Sequence, residues 1–188
     1  MNLEALYLSY VISSPEHANL ASEVSALIEE ASKEPGVALA RRTPEYLREK
    51  LASGKSVLCL SLSQDPPTIA GFCYIETWSD GRYVANSGLT VRKEFRAFGV
   101  GKKLKEKVFE LSRSDYPTAK LFGLTTNPAV MTINSALGYR PTSYQELTRD
   151  EQFWAGCKTC PHHDILTRLK RELCLCTAMV FDPSKHPK

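Results

Sequence analysis

Leu89-Thr90-Val91-Arg92-Lys93-Glu94-Phe95-Arg96-Ala97-Phe98-Gly99-Val100-Gly101-Lys102-Lys103-Leu104 is the stretch on which the reading of this sequence turns. A β-branched run feeds a loop with two glycines. The loop feeds a segment whose apolar residues, Val100, Leu104, Val108 and Leu111, recur at helical spacing. A strand that passes through such a turn into a helix N-terminus presents successive unpaired amide N–H groups and the positive end of the helix dipole, a cradle for pyrophosphate. Arg96, Lys102 and Lys103 add full positive charges beside it. Two glycines alone specify only a tight turn, so the flanking elements must decide.

Upstream, residues 5–13 read as a first strand. Ser14-Pro15 opens a helix with Leu20, Val24, Leu27, Ile28 and Ala31 on one face, ending near Pro35-Gly36. Thr43-Pro44 opens a second, carrying Tyr46, Leu47 and Leu51 and stopping at Gly54. Strand-like runs at 57–62, 68–75 and 83–91 are separated by Gln64-Asp65-Pro66-Pro67 and Ser79-Asp80-Gly81, turn chemistry that predicts an antiparallel meander. Downstream of the glycine turn, a strand at 121–124 precedes a helix begun by Asn127-Pro128, with Val130, Met131, Ile133 and Leu137 inward and Gly138 as its left-handed cap. Strands at 139–146 and 174–181 close the chain around an insertion at 147–172. The expected fold is α/β (α+β): a mixed, mostly antiparallel central sheet with helices on both faces.

The chain has 188 residues, 43% hydrophobic and 24% charged, with 10 glycines and 11 prolines. That composition excludes disordered, collagen-like and coiled-coil classes, and the length fits one domain, 1–188, that carries the insertion. The 24 basic and 21 acidic residues leave a net charge of +3, too slight a bias to argue for nucleic acid. No stretch approaches the roughly 20 apolar residues of a membrane span. The opening MNLEALYLSYVISSPEH lacks a basic n-region and a long apolar run, so no signal or transit peptide is expected and the cytoplasm is the expected compartment.

The run Arg96-Ala97-Phe98-Gly99-Val100-Gly101 resembles the Arg/Gln-x-x-Gly-x-Gly/Ala signature of the GNAT superfamily of N-acetyltransferases, and the element order resembles that fold over 5–146 and 174–181. The resemblance implies that the backbone from Arg96 to Lys102 holds the pyrophosphate of acetyl-coenzyme A. It also implies that the strand edge around Leu89 and Val91 pairs with the pantetheine arm as an added strand does. Asn127 followed by Gly138-Tyr139 is similar to the superfamily's strand-end Asn and Gly-aromatic pair; the Asn contacts cofactor there, and N-capping is its other reading. Within the superfamily, Leu121-Phe122-Gly123-Leu124-Thr125-Thr126 with Gly138-Tyr139-Arg140-Pro141, and Ala40-Arg41-Arg42-Thr43-Pro44-Glu45-Tyr46-Leu47, resemble the acetyltransferase domain of N-acetylglutamate synthase.

That resemblance implies an enzyme that moves an acetyl group to the amine of a small amino acid, glutamate or a relative in arginine biosynthesis. Arg41 and Arg42 suit an α-carboxylate, which a guanidinium fork binds bidentately; a solvated basic loop is the alternative. The sequence departs from the family at its proton-transfer positions. The place often held by a Glu base is Ala85, and that often held by a Tyr acid is Asn134. Glu76, Tyr83 and Ser87 are the substitutes considered, Asn86 beside them; a strand polar residue otherwise faces solvent. The amide of Val91 is expected to polarise the thioester carbonyl. A protein or peptide acetyltransferase, or a non-catalytic acyl-coenzyme A-binding module, are the rival readings.

Six cysteines in a reducing compartment point to metal or to packing rather than disulfides. Cys157-x-x-Cys160 and Cys174-x-Cys176, with His162 and His163 between, suit a structural zinc site if both members of the C-x-C pair lie on one strand face. Small buried hydrophobes are the other reading. Cys59 and Cys73 are expected in the core, and Tyr144, Phe153 and Trp154 in the core or over the acceptor site. The expected partner is a small-molecule amine, with neither nucleic acid nor membrane, and a homodimer is left open.

Overall fold

In the computed structural model, which describes residues 7–37, 39–63 and 65–185, the chain opens with strand β1 (Leu8–Ile12). Residues 5 and 6 of the predicted strand and Gln64 of the predicted turn lie outside the described residues. Ser14 begins a 3-10 turn, Pro15–Leu20, before helix α1 (Ala21–Ser32), so the predicted first helix starts as a tighter turn. Helix α2 (Pro44–Ala52) is capped by the Thr43 hydroxyl, which accepts the Tyr46 amide at 3.3 Å, and ends before Gly54 at φ +69°.

Strand β2 (Ser56–Ser61) pairs antiparallel with β1, β3 (Thr68–Trp78) with β2, and β4 (Tyr83–Val91) with β3, so the predicted meander is formed. Helix α3 (Val100–Asp115), strand β5 (Lys120–Thr125) and helix α4 (Pro128–Ala136) follow. The chain closes with β6 (Arg140–Pro141), two short helices, α5 (Glu151–Ala155) and α6 (His163–Arg168), and β7 (Thr177–Phe181). The seven strands form one sheet in the order β1-β2-β3-β4-β5-β7-β6; β4–β5 is parallel and the other pairs are antiparallel.

Three sequence expectations are corrected. The strand expected at 139–146 shrinks to two residues, because Pro141 offers no N–H and the chain turns into a 3-10 segment, Tyr144–Glu146. The strand expected at 174–181 begins only at Thr177, opposite Thr125; β5 ends there, so Cys174 and Cys176 have no strand to pair with. On α4 the fully buried residue is Asn134; Val130, Met131, Ile133 and the capping Leu137 are only partly buried, with Met131 and Leu137 packed against the core as expected.

Strand alternation divides the core by face. Val57, Cys59, Cys73, Ile75 and Val84 pack against Val100, Leu104 and Val108 of α3. Leu58, Phe72 and Tyr74 meet Val24, Leu27 and Ile28 of α1 and Leu47 and Leu51 of α2. Ala85, Phe122 and Ala178 are covered by Tyr144, Leu147, Trp154 and Leu166 of the segment between β6 and β7. Among the described residues no helix is long and apolar enough to cross a membrane.

Candidate active site

β4 and β5 pair only over Tyr83–Ala85 and Lys120–Phe122, yet each strand runs further. Beyond Ala85 the sheet therefore splits. Backbone parity shows what faces the gap. The Ile75 amide donates to Lys55 on the β2 side at 2.7 Å, so Tyr74 and Glu76 turn theirs to β4, whose Ser87 and Ala85 answer them. Asn86, lying between, presents its amide and carbonyl to the β5 side. The Arg92 amide donates to Ala70 at 2.9 Å, so Val91 likewise faces the gap. A bulge adjusts the register between these points: Cys73 lies between partners Phe72↔Thr90 and Tyr74↔Ser87, and Gly88 sits at φ +64°.

The carbonyls at both ends of this free edge are held by cations. The Lys105 ammonium donates to the Asn86 carbonyl at 3.1 Å and the Arg96 Nε to the Val91 carbonyl at 3.0 Å. After Val91 the chain makes a 3-10 turn, Lys93–Phe98, and Gly99 takes the left-handed conformation, φ +72°, that lets α3 begin at Val100. The predicted strand, glycine turn and helix N-terminus are thus in place. Leu89, Val91, Arg96, Ala97, Phe98, Gly99, Val100, Gly101 and Lys102 lie along it; the side chain of Ala97 is outside the described set. The expected charges are more committed than the sequence suggested. Arg96 forms a two-armed pair with Glu34 at 2.7 and 2.8 Å, which holds that carboxyl below its usual range, and Lys102 and Lys103 lean on Glu106 at 3.9 and 3.6 Å. Asn127 caps α4, accepting the Ala129 amide at 2.9 Å, and β5 delivers it to the far bank of the split.

The three catalytic candidates share one sheet face, since Glu76, Tyr74 and Trp78 register opposite Ala85, Ser87 and Tyr83. Glu76 stands directly across from Ala85. Opposed Cβ atoms are about 5 Å apart, so the carboxylate missing from position 85 reappears one strand away. Glu76 is 9% exposed and accepts a short hydrogen bond from the Tyr46 hydroxyl. Arg42 stands 3.9 Å from it and donates through Nε to the Tyr74 hydroxyl at 2.8 Å. Burial, with the Glu76 charge nearby, pushes both tyrosine hydroxyls up. Ser87 is partly buried and its carbonyl accepts the Cys73 thiol; Tyr83 packs edge-on against Phe122 in an aromatic cluster. Of the three, Glu76 is the one whose side chain joins a polar network among the described residues. Tyr46 and Tyr74 were not singled out from sequence, because nothing local marks a core tyrosine as facing a carboxylate.

Arg41 and Arg42 line a cavity of about 250 Å³ with Ser25, Glu29, Thr43 and Thr159. They do not act as a matched fork: Arg42 is largely committed to Tyr74 and Glu76, while Arg41 is exposed beside Glu29. Cys157, Cys160, Cys174 and Cys176 line one small cavity with His162 and His163. Burial pushes Cys157 up to about 11 and Cys176 up to about 12, so both are thiols at neutral pH. Among the described residues no group of three or more His, Cys, Asp or Glu is placed to hold a metal ion. The C-x-C pair lies in the turn ahead of β7, not on a strand face, so the geometry that zinc was expected to use is not formed.

Asn134 is 1% exposed, and its Oδ1 has no hydrogen-bond partner among the described residues; its Nδ2 reaches only the Met179 sulfur at 3.7 Å. An unsatisfied buried acceptor is costly, so Asn134→Leu is expected to stabilise the fold by about 1 kcal/mol, raising the melting temperature by roughly 2–4 °C. A lower melting temperature would show that the amide is satisfied in solution.

No family model matches the sequence, and no curated protein matches it. Solved structures do. N-acetylglutamate synthase from Neisseria gonorrhoeae, complexed with coenzyme A and N-acetyl-glutamate, aligns with a TM-score of 0.67 at 17% identity, over 95% of this chain and 36% of that one. The chain thus spans about a third of that protein's length. A Mycobacterium tuberculosis protein in complex with CoA gives 0.65 at 13% identity over 93% of this chain and 98% of that one. A GNAT superfamily phosphinothricin acetyltransferase from Sinorhizobium meliloti in complex with acetyl-CoA gives 0.58 at 15% identity, over 94% and 88%. With the split sheet and the Arg96–Gly101 turn already in place, these likenesses identify the architecture of this chain as the GNAT acetyltransferase fold.

Proposed function

We propose that the protein is an acetyl-coenzyme A-dependent N-acetyltransferase whose acceptor is a small amine bearing a carboxylate, glutamate or a related amino acid among them. One observation carries the reading: β4 keeps a free edge from Asn86 to Val91, and a helix N-terminus entered through Gly99 lies at the end of that edge. Coenzyme A supplies the activated acetyl thioester. The Gly99–Lys102 amides hold its pyrophosphate. The pantetheine arm, about as long as four extended residues, runs back along β4 toward Asn86. The gap-facing amides of Leu89 and Val91 pair with the arm as an added strand does.

The acceptor enters on the Arg42 side, where the cavity offers a cation in Arg41 and an anion in Glu29, a complement to a zwitterion. Glu76 takes the amine proton, directly or through a water, with Tyr46 and Arg42 fixing its carboxyl group. The structures with coenzyme A and N-acetyl-glutamate or acetyl-CoA support this reading by fold.

Thiol release from acetyl-coenzyme A, measured against a panel of amino acids and amines, tests the reaction. Turnover with carboxylate-bearing amines is expected, and none with any member of the panel defeats the proposal. Glu76→Gln is expected to lower kcat about 100-fold at neutral pH while leaving acetyl-coenzyme A affinity unchanged. Equal loss of both would make Glu76 a structural residue.

A further inference from the structure

Lys105 is 2% exposed, and its Nζ donates to the Asn86 carbonyl, the first gap-facing carbonyl past the last β4–β5 pair. A buried ammonium is costly unless paired, yet among the described residues no carboxylate lies in ion-pair range of it. Its surroundings are otherwise neutral. The Tyr139 ring lies 5.7 Å away, and the Tyr139 hydroxyl and Ser112 hydroxyl both bond the Asn86 side chain, at 3.0 and 2.7 Å. Cys73 faces it from β3, its thiol pushed up to about 11 by burial, and Tyr139 is pushed up likewise; Arg113 acts on Tyr139 from beyond. A core helix position adjacent to Leu104 is thus given to a cation with nothing among the described residues to neutralise it. The place where it sits is the closed end of the split, toward which the acyl end of a bound thioester points. The family's usual acid is also missing, because Asn134 has no acidic proton to give.

Resting on the acetyl-transfer reading above, we propose that Lys105 is the acid of the reaction, giving a proton from Nζ to the coenzyme A sulfur as the thioester breaks. The acceptor nitrogen bonds to the acyl carbon. The C–S bond breaks with its electron pair left on sulfur, and sulfur takes the Nζ proton. The neutral amine is then recharged through water by one of the protons that the acceptor nitrogen sheds, so Lys105 ends as it began. Burial lowers the lysine's proton affinity, bringing it closer to that of a thiolate, as proton transfer requires.

The test needs no acceptor. Coenzyme A itself is bound to the wild-type protein and to Lys105→Met, and the ultraviolet absorbance of its thiolate is followed against pH. In the wild-type complex the thiol is expected to titrate lower than in the Lys105→Met complex by about one pH unit, the effect of a cation within several ångströms. Identical titration overturns the proposal. Failure of the wild-type protein to bind coenzyme A at all overturns the acetyl-transfer reading and this one with it. Lys105→Met is expected to melt at or above the wild-type temperature, since an unpaired buried charge has gone. Its advantage should shrink as pH rises toward the ordinary lysine range, where the unfolded lysine also loses its proton. Should Lys105→Met not fold, Lys105→Gln serves in its place with the same expected shift.

Discussion

Gly101→Asp is expected to weaken acetyl-coenzyme A binding by about 100-fold, near 3 kcal/mol, while leaving the fold intact. A Cβ at Gly101 would meet only the Val91 Cγ2 at 3.6 Å, an ordinary contact, and the residue needs no left-handed backbone. An aspartate in the first turn of α3 is even favourable to the helix, by about 0.3–1 kcal/mol, because its charge opposes the dipole. The same charge stands where the pyrophosphate is to bind. At an effective dielectric near 20, two unit charges 4 Å apart repel by about 4 kcal/mol. Stability and affinity should therefore move in opposite directions, which a general loss of structure cannot produce. Calorimetric titration with acetyl-coenzyme A, beside a melting curve, reads both. Unchanged affinity would remove the α3 N-terminus from the cofactor site.

The second large effect is on the bulge. Gly88→Ala is expected to destabilise the protein by about 3 kcal/mol, roughly 6–12 °C in melting temperature. Gly88 has φ +64°, costing a side chain about 1–2 kcal/mol. Its added Cβ would also fall 2.4 Å from Tyr74 Cε1 and 2.9 Å from Cδ1. The Tyr74 ring cannot easily yield. It is 1% exposed, stacked on Phe72 at 5.6 Å, edge-on to Tyr46 at 6.0 Å, and its hydroxyl holds Arg42. Moving it disturbs the Arg42–Glu76 arrangement, so activity should fall further than the residual folded fraction explains. Gly36→Ala is the control: it shares a positive φ, +76°, but its Cβ would meet nothing within 4 Å. It should cost about 1 kcal/mol, and equal losses in the two variants would mean that backbone strain, not the tyrosine, sets the effect.

Much of the scaffold was legible because it is written in local chemistry. Pro44 and Pro128 open helices behind Thr43 and Asn127, Gly54 and Gly138 end them at φ +69° and +88°, and the β4 boundaries were read without error. Where the reading missed, the deciding interaction was distant in sequence. β6 and β7 are shorter than their β-like composition because a strand extends only as far as its neighbour does. Asn134 joins Met131 and Leu137 on the inward side of α4, and Lys105 and Ser112 enter the buried stripe of α3 beside Val100, Leu104 and Val108. Polar residues at those positions interrupt the hydrophobic period, which therefore carries no sign of their burial.

By itself the sequence determined the order of elements, the glycine turn into α3 and the residues along it, because caps, turns and hydrophobic period act within a few residues. Only the tertiary structure decided that β4 and β5 part after Ala85, that Glu76 stands opposite the vacant base position, and that Arg96 is tied to Glu34. It also decided that Lys105 lies buried at the closed end of the gap. These depend on strand register and on which faces meet, and no spacing along the chain encodes how far two strands stay paired.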